Sequence, residues 1–247
     1  MAVALVMSGC GAPIAASSAT AAKTYSATVL ADHPAAYWRM DETTGNTMAD
    51  ASGNANQGRY VGTYTLGQAG AIAGDGSTAV AFDGQSGAAT IVSSTTLQMN
   101  TVTIELWVNK RADSEYGVYV AKNFESGGGA GSGWFQLLNS HHNGTLEFRV
   151  TSDGAPALVS NATLALNTWY YVVATYDGAV AKLYVNGKLD SSLKVAATPK
   201  QTADPMFIGR RMDGLFNQAA IGQVAIYPVA LSADRIAAHW RAAAKTP

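Results

Sequence analysis

The chain has 247 residues, 48% hydrophobic and only 13% charged, and its 16 Lys and Arg against 17 Asp and Glu leave a net charge of −1. A typical globular domain is about 25% charged, so the composition is too apolar for a disordered chain and lacks the basic excess that supplies most nucleic-acid affinity. One cysteine cannot form an internal disulfide, no Cys/His spacing reads as structural zinc, and no apolar run reaches the roughly 18 residues of a membrane-spanning helix.

Residues 1–24 read as a leader and tail. Met1 to Ala22 is small and uncharged, with Lys23 the first charge. Ala2 to Met7 is a short apolar stretch, followed by Met7-Ser8-Gly9-Cys10. Those four residues resemble the lipobox of bacterial lipoproteins, in which Cys10 becomes the lipidated terminus. Ala19-Thr20-Ala21 offers a second reading, an A-x-A signal cleavage site. Both imply export, as a cell-surface lipoprotein or a secreted protein, and the lipid is the only membrane attachment expected. The alternative is an Ala/Ser-rich tail with an incidental cysteine.

Residues 25–247 read as one β domain. In Thr101 to Lys110, Val102, Ile104, Leu106 and Val108 alternate with Thr103, Glu105, Trp107 and Asn109. Period two marks a strand with one buried face. Leu146, Phe148 and Val150 alternate likewise, as do Ala181, Leu183 and Val185. Trp169 to Tyr176 is an aromatic and β-branched run suited to an interior strand. Asn186-Gly187 between two such runs is a strong hairpin signal, because both turn positions need positive φ. Asp177-Gly178 and Asn143-Gly144 are further hairpin candidates. Asp83-Gly84, Asp153-Gly154 and Asp213-Gly214 mark more turns. Short strands with turns this frequent predict a β-sandwich. Trp38, Phe82, Trp107 and Trp169 are expected in the core between the sheets. One helix is predicted, at the C-terminus, with Ser232 as N-cap, Asp234 in the first turn, and Ile236 and Trp240 on one face.

Asp50, Ser52, Asn54 and Asn56 place an oxygen side chain at every second position, and Gly53 and Gly58 allow a tight curve. Hard cations take six to eight oxygens, so this loop is a candidate for one structural calcium ion. The other reading is an Asx-turn loop that satisfies its own backbone. His141-His142-Asn143-Gly144 reads as a hairpin tip. Saccharide sites combine aromatic faces with a few polar groups. Candidates on loops and the open sheet are Tyr116, Tyr119, Phe124, Trp134, Asn139, Arg210, Arg211 and Phe216. Of the adjacent Trp134 and Phe135, one is expected to face in and the other out.

The ordered set of segments resembles the laminin-G-like jellyroll of the concanavalin A-like lectin/glucanase superfamily. The stretches are Tyr37 to Glu42 with Asp50 to Gly58, Ala79 to Gly84, Val102 to Lys110, Trp169 to Asp177 with Leu183 to Gly187, and Ile208-Gly209 with Ile221 to Tyr227 and Ala230 to Ala233. The resemblance implies an all-β fold of two curved antiparallel sheets packed face to face. It also implies a calcium near the sheet edge, with acids from distant strands, of which Asp83 is a candidate. The family's Ile-Asp-Glu-Val is here Ile221-Gly222-Gln223-Val224, which removes both acids. Catalytic members carry Glu-x-Asp-x-x-Glu on a strand. Here Glu105 is followed by Trp107 and Asn109 on the same face, so that motif is absent. The expectation is an exported, non-catalytic carbohydrate-binding module. Its rivals are an adhesive surface protein that binds another protein, and a glycoside hydrolase with an unfamiliar site.

Overall fold

The computed structural model describes Met1 and residues 24–72, 76–122, 133–141, 144–150, 155–197, 199 and 201–244. The leader with Cys10, and also Phe124, His142, Asn143, Asp153 and Gly154, lie outside the described residues. The chain runs through α1 (Tyr25–Leu30), β1 (Ala36–Trp38), β2 (Thr47–Met48), β3 (Gly58–Val61), β4 (Tyr64–Ala69), β5 (Thr78–Asp83), β6 (Ala88–Ile91), a 3-10 turn (Thr95–Leu97), β7 (Val102–Lys110) and β8 (Val118–Lys122). It continues through β9 (Phe135–Asn139), β10 (Thr145–Arg149), β11 (Leu158–Thr163), β12 (Trp169–Tyr176), β13 (Val180–Val185), β14 (Lys188–Lys194), β15 (Met206–Ile208), β16 (Gln218–Tyr227) and α2 (Ala233–Ala244). The strands form two antiparallel sheets, and the fold is an all-β jellyroll sandwich. The first sheet runs β14-β13-β12-β7-β16-β5-β4, with β1 also paired to β16. The second runs β11-β10-β9-β8-β15-β6-β3-β2.

Alternation sends one set of side chains from each sheet into a common core. Val102, Ile104, Leu106 and Val108 from β7 meet Leu137, Leu146, Phe148 and Ile208 from the opposite sheet. The predicted hairpin turn is present: Asn186 and Gly187 take φ of 51° and 76° between β13 and β14. Trp38 and Phe82 fill the core between the sheets as expected. Trp107 and Trp169 do not. They lie on the outer face of the first sheet, in a second apolar cluster with Tyr25, Tyr171, Tyr227, Ile236 and Trp240. The predicted single buried face of β7 is likewise corrected, because every residue of β7 is buried.

The reason is a cap of two helices. α1 falls at the start of the segment read as β, where no helix was predicted. Its start is fixed by Thr24, whose hydroxyl accepts from the Ala27 amide at 3.3 Å, and its Tyr25 and Val29 pack on the outer face. α2 begins where predicted, and the Ser232 hydroxyl accepts from the Arg235 amide at 3.3 Å. Between helices and sheet lies a fully buried carboxylate, Glu105, at 0% exposure. It accepts from the hydroxyls of Tyr25 (2.7 Å) and Tyr227 (2.9 Å), and from His239 Nδ1 (2.9 Å). His239 Nε2 meets Asp32 at 2.9 Å, and Arg235 meets the same carboxylate at 2.8 Å.

Burial alone would push the Glu105 carboxyl up and the His239 imidazole down. The ion pair and its hydrogen bonds outweigh burial, so Glu105 sits below 4.5 and His239 above 6.5, their ordinary values. Burial first, and the carboxylate second, push the Tyr25 and Tyr227 hydroxyls well above 10.0, so they stay neutral donors. Glu105→Ala is expected to destabilise the protein by about 3–5 kcal/mol, since it strands a buried imidazolium and two hydroxyls; denaturant unfolding reads this. A raised histidine pKa contributes stability that is complete below the unfolded value and is lost as pH rises through the folded value. A lowered carboxyl pKa contributes stability that is lost as pH falls. The stability difference between wild type and His239→Gln should therefore be largest near roughly pH 5–6.5 and shrink toward alkaline pH. A constant difference across that range would contradict the charged pair.

Candidate ligand-binding face

No described helix covers the outer face of the second sheet. One lateral row crosses six of its strands through the pairs Arg59–Thr90, Thr90–Phe207, Phe207–Ala121, Ala121–Gln136 and Gln136–Arg149. At about 4.8 Å per strand the row is roughly 24 Å long. It carries an arginine at each end and an aromatic ring near its middle. The segment between β15 and β16 folds back over this row. Asp213-Gly214 makes the predicted turn, closed by an Arg211–Gly214 bridge. Arg210 is thereby set over two rings, its guanidinium carbon 4.6 Å from the Phe207 centroid and 5.7 Å from that of Phe216. Such stacking holds a cation without cancelling its charge. Arg210 Nε makes no hydrogen bond to the described residues.

Arg211 lies deeper, at 6% exposure. Its guanidinium pairs with Asp213 at 2.7 and 3.0 Å and reaches Gln136 Oε1 at 3.4 Å, which pins the returning loop to the sheet. Glu147, on the same face, is paired with Arg149. Tyr116 takes φ 54° and packs with Leu215 on an apolar patch of Val118, Ala121 and Leu138. Its ring meets His141 edge-on at 4.4 Å, and Glu115 lies 3.2 Å from the same imidazole. The structure thus brings Tyr116, Arg210, Arg211 and Phe216 to one face.

Three other candidates point inward. Tyr119 and Asn139 are buried, and the tyrosine hydroxyl donates to Asn139 Oδ1 at 2.6 Å. Asn139 Nδ2 donates to the Ser114 carbonyl at 3.2 Å, and buried Asn217 donates to the Gly117 carbonyl at 3.0 Å. These side chains position the rim loops from beneath. Trp134 is fully buried, packed edge-on against Phe135 and Tyr176 at 5.5 and 6.2 Å. Trp134 and Phe135 both belong to the core, so the expectation that one faces outward is corrected. Sequence reasoning missed Arg59, Phe207, Gln136 and Arg149. Their strand positions gave no sign that one row would align them.

The Asp50 loop is self-satisfied. One carboxylate oxygen accepts from the amides of Tyr37 (3.0 Å) and Ser52 (2.9 Å). The other accepts from the Ser52 hydroxyl and the Asn56 amide, both at 2.9 Å. Asn54 and Asn56 direct their amide nitrogens to the Ala35 carbonyl at 3.1 and 2.8 Å. Asp83 stands elsewhere: it pairs with Gln218 at one end of β16, whereas Tyr37 beside Asp50 pairs with Ala225 toward the other. Burial opposes ionisation of Asp83 slightly, but the amides of Ser86, Gln85 and Gly87 hold its carboxyl well below the usual range. Gly222 and Gln223 form a bulge in β16, with the Gln223 amide donating to the Arg39 carbonyl at 3.0 Å. Among the described residues, no group of three or more His, Cys, Asp or Glu side chains converges on one point. The Asp50 carboxylate is thus occupied by the loop's own donors, and Asp83 stands apart from it. Asp50→Ala should lower stability by about 2 kcal/mol or more, because buried amides lose their acceptor. The melting temperature should be the same in calcium and in chelator. A rise in calcium would contradict this reading, since a ligand of the native state stabilises it.

Residues 82–237 match a laminin-G-type family model described as the concanavalin A-like lectin/glucanases superfamily, and the chain belongs to that family. A search of curated proteins returns no match. Solved structures share the fold at low identity. Domain 4 of AbnA, a GH43 extracellular arabinanase from Geobacillus stearothermophilus solved with arabinotriose, is 17% identical with a TM-score of 0.62, over 83% of this chain and 97% of that one. The binding domain of paraclostridial mosquitocidal protein 1 is 15% identical (TM-score 0.63, 85% of this chain and 52% of that one). The binding domain of botulinum neurotoxin DC, in complex with SialylT, is 16% identical (0.60, 87% and 52%). This chain therefore spans about half the length of those toxin domains.

Proposed function

We propose that the chain is an exported, non-catalytic module that binds glycan at the bacterial cell surface or outside the cell. The observation that carries this reading is the Arg210 guanidinium set over the rings of buried Phe207 and half-buried Phe216, on a sheet face that no described helix covers. A partly exposed ring offers a sugar its apolar side, and a guanidinium offers paired donors to hydroxyl, carboxylate or sulfate oxygens. Arg59 lies exposed in the same row, with no carboxylate partner among the described residues. Two guanidinium groups so placed favour glycans that carry acidic substituents. The arabinanase domain solved with arabinotriose supports a saccharide ligand for this fold.

Hydrolysis is disfavoured by the carboxylates. A retaining glycosidase needs two about 5–5.5 Å apart and open to substrate. Glu105 is sealed beneath the helices, Glu147 is paired with Arg149, and Asp213 is held by Arg211. Export rests on Met1 to Ala22 and the Met7-Ser8-Gly9-Cys10 sequence alone, with Cys10 as the proposed lipid attachment.

A glycan array probed with the full chain tests the proposal. Selective binding is expected, strongest for glycans bearing carboxylate or sulfate and weakened by salt. Arg210→Ala and Phe216→Ala should each lower affinity about tenfold or more, as for residues at the centre of an interface, with unchanged circular dichroism. Binding that both variants retain would overturn the assigned face. No binding to any glycan would favour a protein partner on this surface.

A further inference from the structure

At the edge of the sandwich, where the edge strands β11 and β14 meet, lies a cleft of about 450 Å³, lined by Ala162, Val185, Asn186, Lys188, Leu189, Asp190 and Trp240. That volume falls within the roughly 300–1,000 Å³ of small-molecule sites. The cleft forms where the β13–β14 hairpin, the end of β11 and α2 meet, so three elements set its shape.

Each wall is held in place. Trp240 stacks on Trp107 at 5.4 Å and on Tyr171 at 6.0 Å, which fixes the indole, and its remaining surface faces the cleft. Gly187 allows the turn to approach that closely: a Cβ there would stand 2.7 Å from the Trp240 Cβ. Asn186 is clamped at both backbone and side chain, its amide donating to the Tyr171 carbonyl at 2.8 Å and its Oδ1 accepting from the Tyr171 amide at 3.0 Å. Its Nδ2 makes no bond to the described residues. Asp190 accepts from the amides of Asn161 (2.7 Å) and Ala162 (2.9 Å), closing the seam between the two sheets. Leu189 is 56% exposed, although it lies beside this rigid aromatic surface. The result is an apolar surface of indole and Leu189 on the helical side, with a polar rim of one amide donor, one ammonium and one carboxylate at the hairpin edge.

We propose that this cleft is a second saccharide subsite, separate from the Arg210 face. A single sugar ring would lie with its C–H face on the Trp240 and Leu189 surface. Its hydroxyls would accept from Asn186 Nδ2 and Lys188 Nζ and donate to Asp190. The small contact area and one preorganised ring point to millimolar affinity, which suits a subsite that adds avidity to a first one on the same polysaccharide. The proposal stands whether or not the Arg210 face binds glycan.

The test is an NMR titration of the full chain with arabinotriose, lactose and cellotriose, each to about 10 mM, well into the millimolar range. Trp240→Phe assigns the Trp240 indole N–H signal. With at least one sugar, the Trp240 indole signal and the amides of Asn186, Lys188 and Leu189 should shift and approach saturation. Asn186→Asp keeps the turn and the Oδ1 acceptor but removes the donor, and Leu189→Ser removes the exposed apolar wall. Both should cut the shifts at least threefold while the remaining spectrum is unchanged. Phe216→Ala should leave them intact. Absence of shifts at these residues with all three sugars would overturn the proposal, as would shifts that persist undiminished in both variants.

Discussion

A carboxylate buried in the middle of a sheet face organises this molecule. Glu105 projects from the central strand β7 to the side opposite the main core, where alternation would normally leave it in water. A lone charge there would cost several kcal/mol. It is instead met from three directions: Tyr25 of α1, Tyr227 of β16 and His239 of α2. Asp32 and Arg235 extend the chain of charge toward the surface. Both helices are thus tied to one point of the sheet, and the aromatic cluster of Trp107, Tyr171 and Trp240 packs around that tie. The group that most resembles a catalytic acid in the sequence is a structural anchor.

That anchor also assigns the two outer faces different tasks. The centre of the first sheet is closed by helices, and a cleft opens at the end of α2. The second sheet carries a row of polar and aromatic side chains across six strands. The loop between β15 and β16 returns over that row because Arg211 bridges Asp213 and Gln136, while Asn217 and Asn139 secure its base. Arg210 and Phe216 are thereby presented by a loop that is itself pinned, the arrangement that lowers the entropic cost of binding.

Period-two alternation located β7, β10 and β13, a continuous apolar run located β12, and Asn186-Gly187 located a hairpin, because these signals are local. The ordered set of segments also made the family legible. What lay beyond reach was long-range. β7 looked half-exposed because nothing in its own residues announces that His239, 134 positions later, will cover it. α1 was hidden because Tyr, Thr and Val make up half of its six residues, and packing of Tyr25 and Val29 overrides their strand preference. Trp134 looked like a ligand-stacking ring because its loop-side position says nothing of depth, yet it is core. Arg210 and Phe216 were legible as loop residues, but their partner Phe207 was not, since register between distant strands sets that meeting. The Asp50 loop shows the converse limit: an oxygen-rich spacing is shared by cation sites and by turns that satisfy their own backbone, and the spacing alone does not reveal the donors that surround Asp50.

The most direct test is a crystal structure of the chain with the glycan that binds most tightly. Sugar density is expected against Phe216 and Arg210 on the second sheet, with the Glu105–His239–Asp32 chain unchanged beneath the helices. Density absent from that face, or an opened helical cap with sugar at Glu105, would contradict it.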